Sequence, residues 1–367
     1  MKGGKMAWEG EKIKGLAKEK NITLIKLAEQ IGVSRQAVND WTNGKVPKGN
    51  HLVAMCRILF VSPEIFFSDD SSRTISIPVH RTRKRAKVNE DMQQDAMEMV
   101  KEYKNLFKNM SDSVVVPVIR TKGKDEESAI KIAEKLRIIS GVKKDEPMDY
   151  GDAFHLLDQL GITIIFRYFS QSIKDYAFYT RIHDHRVVFV NNSTNVLDLI
   201  FPVLHEAVHA IRDEAYTNSF YDNEEEEFCD NVANYAQFPD EYVKFVFEAI
   251  NGLPTSHKIN NLKIFGHKYS HSLFGIFKRL KTMAPRLKLN IGGADTNLKK
   301  EFQTIGDILF EDDDPKSFLQ LLSALTPRFI NTLKEQSENI SHRKLGQLLG
   351  LESALDAKEI KKILTDN

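Results

Sequence analysis

Cysteine is scarce in this chain: only Cys56 and Cys229 occur in 367 residues, far apart and each inside an amphipathic stretch. That excludes a disulfide-stapled scaffold, and with no CxxC pair it fits a reducing compartment. Long apolar runs are missing too. No stretch approaches the roughly 18 consecutive apolar residues of a membrane span, and the start MKGGKMAWEG is not followed by the apolar segment of a secretory signal. The expectation is a cytoplasmic protein without membrane contact. Charge of either sign barely prevails, at net +1, but it is unevenly spread: residues 1–90 carry 17 Lys/Arg against 9 Asp/Glu. A basic front quarter on a slightly acidic remainder points to a nucleic-acid-binding module joined to something else. Core-forming residues, by contrast, are plentiful. A hydrophobic content of 41% over this length supplies separate cores for two or three domains.

Residues 1–70 read as a bundle of five short helices, the first running from about Trp8 to Lys20. Leu24, Leu27, Ala28 and Ile31 have the i, i+3, i+4, i+7 spacing of one helix face. Gly32 ends that helix, Ser34 is placed to cap the next, and Ala37, Val38 and Trp41 point inward from it. Asn43-Gly44 closes it, and two more helices follow over 50–60 and 63–67. A glycine turn between two such helices lays one across the DNA backbone and aims the start of the next at the major groove. On that second helix Arg35 suits guanine, and Gln36 and Asn39 suit adenine. Ser34, Lys45 and Lys48 are better placed for phosphates. The stretch TLIKLAEQIGVSRQAVNDWTNGKVP resembles the XRE/Cro-type helix-turn-helix, which implies a DNA-binding domain that often dimerises to match two half-sites.

Residues 71–124 read as a linker and connecting helix, with the basic run HRTRKRAK either solvated or touching phosphate. Residues 125–255 form a second domain. Two helices precede the strand ITIIFRYF, and DYAFYTRI and RVVFVNN make two further strands joined at His183-Asp184-His185. A long helix, VLDLIFPVLHEAVHAIRDE, and a glutamate-rich turn lead into EEFCDNVANYAQF, which Pro239 stops. Residues 256–367 read as an almost wholly helical C-terminal region.

VLHEAVHAI carries the chemistry. His205 and His209 lie four residues apart, so on a helix both imidazoles project from one face and can share one ion. Glu206 lies on a neighbouring azimuth, where it can reach a water beside that ion without ligating it. This is the HExxH division of labour of a zinc hydrolase: two nitrogens hold Zn2+ and a carboxylate takes the proton from water. A third ligand is needed, and Glu224 to Glu227 are the candidates on the following helix. Glu226 is preferred because Asp230, one turn on, can accept the second N–H of a ligating histidine, and because Cys229 and Ala233 let the helices approach. RVVFVNN, running into the metal helix, is expected to put a sheet edge beside the metal, where an extended peptide can add as a strand. The fold class expected is therefore mainly α, with an α+β zincin-like domain.

VFVNN, FPVLHEAVHAI and EEFCDNVANYAQFP resemble, in order and spacing, the strand, HExxH helix and third-ligand helix of the ImmA/IrrE zinc metallopeptidases. Aligning Cys229 and Pro239 on that pattern again puts the third ligand at Glu226. FGHKYSHSLFGIFKRL is similar to the family's helix-turn-helix-like segment, and ISHRKLGQLLGL to a C-terminal segment of longer members. Val208 and Asp230 depart from the residues usual at their positions, but neither departure removes a ligand. The resemblance implies an endopeptidase that cuts a helix-turn-helix repressor and so relieves repression of stress, mobile-element or defence genes. A rival expectation is a regulator or antitoxin whose zincin-like domain only senses or docks, and a third is hydrolysis of a non-peptide amide.

Other histidines compete for attention. His267 and His271 form HxxxH without an acidic neighbour, so a second metal site is disfavoured. Tyr176, Tyr179, His183 and His185 are near enough in sequence to the site to be considered as oxyanion stabilisers, without a basis for ranking them.

Overall fold

Caps and glycine turns organise the first module. The computed structural model describes residues 7–20, 22–59, 61, 63–68, 90–108, 123–212 and 223–366. Helices α1 (Lys12–Glu19), α2 (Leu24–Ile31), α3 (Arg35–Thr42) and α4 (Gly49–Leu59) precede a 3-10 turn, Pro63–Phe66. Thr23 caps α2 by accepting the Lys26 N–H at 3.2 Å, and Gly32, in the left-handed region at φ 78°, ends it. Ser34 then caps α3 through the Ala37 N–H at 3.2 Å. Ile13, Leu27, Val38, Leu52, Met55, Leu59 and Phe66 bury against one another in a core that, among the described residues, belongs to this module alone. The expected first helix starts later than Trp8, which instead belongs to β1 (Ala7–Trp8), paired antiparallel with β2 (Phe67–Ser68). Strands of two residues have no periodicity for a sequence to display.

The rest of the chain is mainly helical around one small sheet. Its elements are α5 (Glu90–Phe107), α6 (Glu126–Ser140), α7 (Tyr150–Gln159), β3 (Thr163–Arg167), β4 (Ala177–Ile182), β5 (His185–Asn191), α8 (Val196–Arg212) and α9 (Asn223–Gln237). There follow α10 (Asp240–Ile250), α11 (Thr255–Lys268), α12 (Leu273–Met283), α13 (Ala294–Lys299), α14 (Ile305–Leu309), α15 (Pro315–Leu325), α16 (Pro327–Gln336), α17 (His342–Leu349) and α18 (Ala354–Asp366).

The strand order is β3-β5-β4, with β3 parallel and β4 antiparallel to β5. This corrects the expected placement of RVVFVNN at the sheet edge: β5 is the central strand, and β4 is the outer strand packed beside α8. The cause is visible in the residues. Val187, Val188, Phe189 and Val190 are all buried, the continuous apolar run of a strand covered on both faces, and the hairpin at His183 (φ 52°) returns β4 along one side of it.

One core joins residues from α5, the sheet, α6 to α9 and α14 to α18, among them Tyr103, Phe154, Phe189, Leu204, Phe329, Leu348 and Ile360. A second core, built on Phe238, Tyr242, Val246, Leu262, Ile276 and Leu280, unites α10 to α13 with Val196 and Leu197 at the start of α8. The expected division between 125–255 and 256–367 therefore does not coincide with a break in packing. Tyr103 on α5 shows the same continuity, donating its hydroxyl to the Leu348 carbonyl of α17 at 2.8 Å while accepting from Arg167 of β3 at 2.6 Å.

The α17–α18 pair repeats the construction of α2–α3. Ser341 caps α17 through the Lys344 N–H, Gly350 ends it at φ 72°, and Ser353 accepts the Asp356 N–H at the start of α18. Where α3 begins with Arg35 and Gln36, α18 begins with Ala354 and Leu355, so the first two positions of this second helix carry no group that reads a base edge.

Candidate metal centre and nucleic-acid interface

Helix α8 is apolar on the faces it packs against β4, α7 and α9, and its two histidines stand one turn apart toward α9. The His205 and His209 Nε2 atoms are 3.0 Å apart. Glu226, in the first turn of α9, places Oε2 3.4 Å from His205 Nε2 and Oε1 3.2 Å from His209 Nε2. These three side chains are the group of potential metal ligands that converges among the described residues.

The donor set is consistent with a metal ion. Zinc held at about 2.0–2.1 Å by nitrogen and carboxylate oxygen has ligand atoms on the order of 3.3 Å apart around a tetrahedron. The spacings of 3.0 to 3.4 Å fall on that edge length. Two imidazole nitrogens and a carboxylate converge here, an arrangement that calls for positive charge at the centre. Asp230 Oδ1 lies 2.9 Å from His205 Nδ1, close but out of hydrogen-bonding alignment. Behind His209 the neighbour of Nδ1 is the Cys229 thiol, at 3.8 Å. Sequence reasoning gave Cys229 only the role of a small packing residue.

The row of glutamates separates by environment. Glu224 and Glu227 are exposed, and Glu225 pairs with Arg212 and Lys124, leaving Glu226 as the one that meets the histidines. Burial works against the charge on Glu226, but its contacts with His205 and His209 outweigh that and hold the carboxyl well below its ordinary range. The same contacts, with Asp230 at His205 and Cys229 at His209, raise both histidines despite the cost of burial.

Glu206 is almost fully buried, and its Oε2 accepts the main-chain N–H of Tyr179 on β4 at 2.9 Å. Burial pushes this carboxyl up to about 7, with His205 and His209 pulling the other way. It is therefore a group that can take and return a proton near neutrality, anchored to the outer strand.

The other candidate histidines are engaged elsewhere. His183 Nε2 lies 3.2 Å from the Lys104 carbonyl, and the His185 ring packs 5.2 Å from Phe107, so both turn toward α5. The Tyr176 carbonyl accepts the Asn191 N–H at 2.9 Å, and the Tyr179 side chain is buried. His267 is exposed, 3.8 Å from Glu301, while His271 is fully buried. His271 donates from Nδ1 to the Ser272 carbonyl at 3.0 Å and accepts the Tyr242 hydroxyl at Nε2 at 2.6 Å, a satisfied core histidine.

Burial lowers His271 to about 4 from its ordinary value of 6.5, against the pull of the Ser272 carbonyl and Asp295. Between those values the unfolded chain binds the extra proton and the folded chain does not, so stability is complete above pH 6.5 and falls toward pH 4. The expected loss is about 3 kcal/mol. Denaturant unfolding at pH 7 and pH 4.5 should show it, and His271→Gln should flatten that part of the profile.

In the front module Arg35 and Gln36 are exposed on α3, as are Lys45 and Lys48 beyond it, while Asn39 is half-buried. Ser34 commits its hydroxyl oxygen to the cap. Asp40, not singled out from sequence, accepts from Gln36 Nε2 at 2.8 Å and lies 3.8 Å from Lys45 Nζ, orienting two of the expected DNA contacts.

Residues 13–66 match the helix-turn-helix family. The front module is a helix-turn-helix domain. It is the DNA-binding part of a regulator-type protein, and the match covers all of α2, α3 and α4. No curated protein and no solved structure matches the chain. No helix among the described residues is long and apolar enough to cross a membrane.

Proposed function

We propose that this protein is a DNA-binding zinc metallo-endopeptidase whose substrate is a helix-turn-helix transcriptional repressor. The observation that carries the reading is the convergence of His205, His209 and Glu226 within ligand distance, with the buried acid Glu206 between the two histidines in sequence. His205, His209 and Glu226 would hold the ion, with Asp230 2.9 Å behind His205 Nδ1 and the Cys229 thiol 3.8 Å behind His209 Nδ1. Bound zinc supplies Lewis acidity toward a peptide carbonyl and lowers the pKa of an attacking water. Glu206 accepts the proton of that water and returns it to the leaving amine, as its upward-shifted carboxyl allows. Packing around α8 buries His205 and Glu206, and β4 fixes the carboxylate of Glu206 through Tyr179.

The resemblance to ImmA/IrrE peptidases supplies the substrate class, and the protein's own helix-turn-helix domain brings it to the DNA where such a repressor sits. The confinement of the family match to residues 13–66 favours one other reading, a regulator whose metal centre senses or docks without cutting. The test is incubation of the zinc-loaded protein with a repressor encoded beside it. A discrete cut that chelation abolishes and added zinc restores is the expected result. Operator binding with an intact repressor, with or without zinc, would leave the regulator reading standing.

A further inference from the structure

Glu226 reaches the histidines only if α9 is held at the right rotation. Successive residues of a helix point about 100° apart, so the neighbour of a ligand faces away from the metal and can be gripped from behind. Glu225 is that neighbour. Arg212, the last residue of α8, forks it with Nε on Oε1 and Nη2 on Oε2, the latter at 3.0 Å. Lys124 adds a third contact to Oε2 at 3.1 Å, just ahead of α6. The Arg212 guanidinium also lies over the Phe228 ring of α9, 4.6 Å from its centroid, so the arginine is fixed on two sides.

The grip extends to the second ligand. Cys229 Sγ is 3.9 Å from Glu225 Oε1 and 3.8 Å from His209 Nδ1. One carboxylate is thus joined to the end of α8, to the start of α6 and, through a thiol, to the back of a metal-facing histidine.

On the reading of His205, His209 and Glu226 as zinc ligands, we infer that Glu225, held by Arg212 and Lys124, is the positioning residue that sets Glu226 against the two histidines. A two-toothed arginine–carboxylate contact fixes orientation as well as distance. Turning α9 so that Glu226 leaves the histidines would have to open the Arg212 fork and pull Phe228 from beneath the guanidinium. The contact also ties the end of α8 directly to the first turn of α9, and so joins the two ligand helices. The pair is partly exposed, with about a fifth of each side chain accessible, so its role is orientation more than core stability.

The experiment measures zinc affinity by competition with a chromophoric chelator on the full chain, alongside the unfolding temperature without zinc. Glu225→Gln is expected to weaken zinc binding about 10- to 100-fold, the range for losing a partner that orients a ligand. Arg212→Lys, which keeps the charge and loses the fork, should fall between that variant and the unaltered protein. Neither should lower the zinc-free unfolding temperature in proportion, and Glu227→Gln, at an exposed neighbour, should bind zinc normally. Should Glu225→Gln fail to fold, Lys124→Met removes one contact only and is expected to lose several-fold affinity. Unchanged zinc affinity in Glu225→Gln and Arg212→Lys would overturn the positioning role and leave the metal centre standing. An unaltered protein that holds no zinc would overturn both.

Discussion

Glu206→Gln should leave the metal in place and stop the cutting. The amide has the size of the carboxylate, and its oxygen can still accept the Tyr179 N–H that now bonds Oε2 at 2.9 Å, so the position of the side chain is retained. His205, His209 and Glu226 are untouched, and zinc content measured by atomic emission should match the unaltered protein. What is lost is the capacity to take a proton, a contribution of about 10²- to 10⁴-fold to such reactions. Cleavage of the repressor, followed by gel and mass spectrometry, should fall by that factor. Removing an ionisable group from a nearly fully buried position should also leave unfolding temperature equal or higher, because burial of the carboxylate is a cost that the amide avoids. Retention of full cutting by Glu206→Gln would sink the proposed chemistry even if zinc is bound.

Gly10→Ala should disable the DNA-binding module without touching the metal centre. A Cβ at residue 10 would lie 1.8 Å from the Trp41 carbonyl oxygen and 2.9 Å from its carbon, both main-chain atoms that cannot step aside. It would also come within 2.7 Å of Trp8 Nε1, whose hydrogen bond to that same carbonyl, at 2.7 Å, ties β1 to the end of α3. One methyl group therefore forces apart the strand pair and the helix that carries Arg35 and Gln36. The expected destabilisation is about 3 kcal/mol or more, since overpacking against fixed backbone sits at the upper end of core substitutions. Operator binding by fluorescence anisotropy should be lost at 37 °C. Zinc affinity should be unchanged, because the ligands belong to a different core. Equal loss of both properties would show that the two modules depend on one another.

Much of this was readable from residues because it is local. The helix-turn-helix is written in contiguous caps, a left-handed glycine and a four-residue apolar face, and HExxH is a spacing within one helix. Glu226 could be preferred from the positions of Cys229 and Asp230 one turn along the same helix. What escaped depends on pairings between distant segments. Whether β4 or β5 lies outermost turns on β3 joining β5 from more than twenty residues upstream, and no periodicity within β5 records that. The fork of Arg212 on Glu225 links the last residue of α8 to the first turn of α9, where an acidic run reads simply as a solvated turn. His271 was legible as a poor metal ligand, but its partner Tyr242 lies on α10, away from the turn that holds the histidine. The end of the chain looked separable because a helical sequence carries no mark of which neighbour its apolar face will meet.

That last point governs how the protein can be cut and recombined. Among the described residues, Ile13, Leu27, Val38 and Phe66 find their apolar company inside the first seventy positions, so the reader could be exchanged for another with a different operator. Leu345, Leu348, Leu349 and Ile360 share their shelter with Tyr103 and Phe329 beside the sheet. A chain shortened at 255 would present those surfaces to water and is expected to precipitate, however complete its catalytic motif. The tail behaves as part of the chassis that holds the sheet and α8, and any graft that keeps the His205, His209 and Glu226 cluster must carry it along.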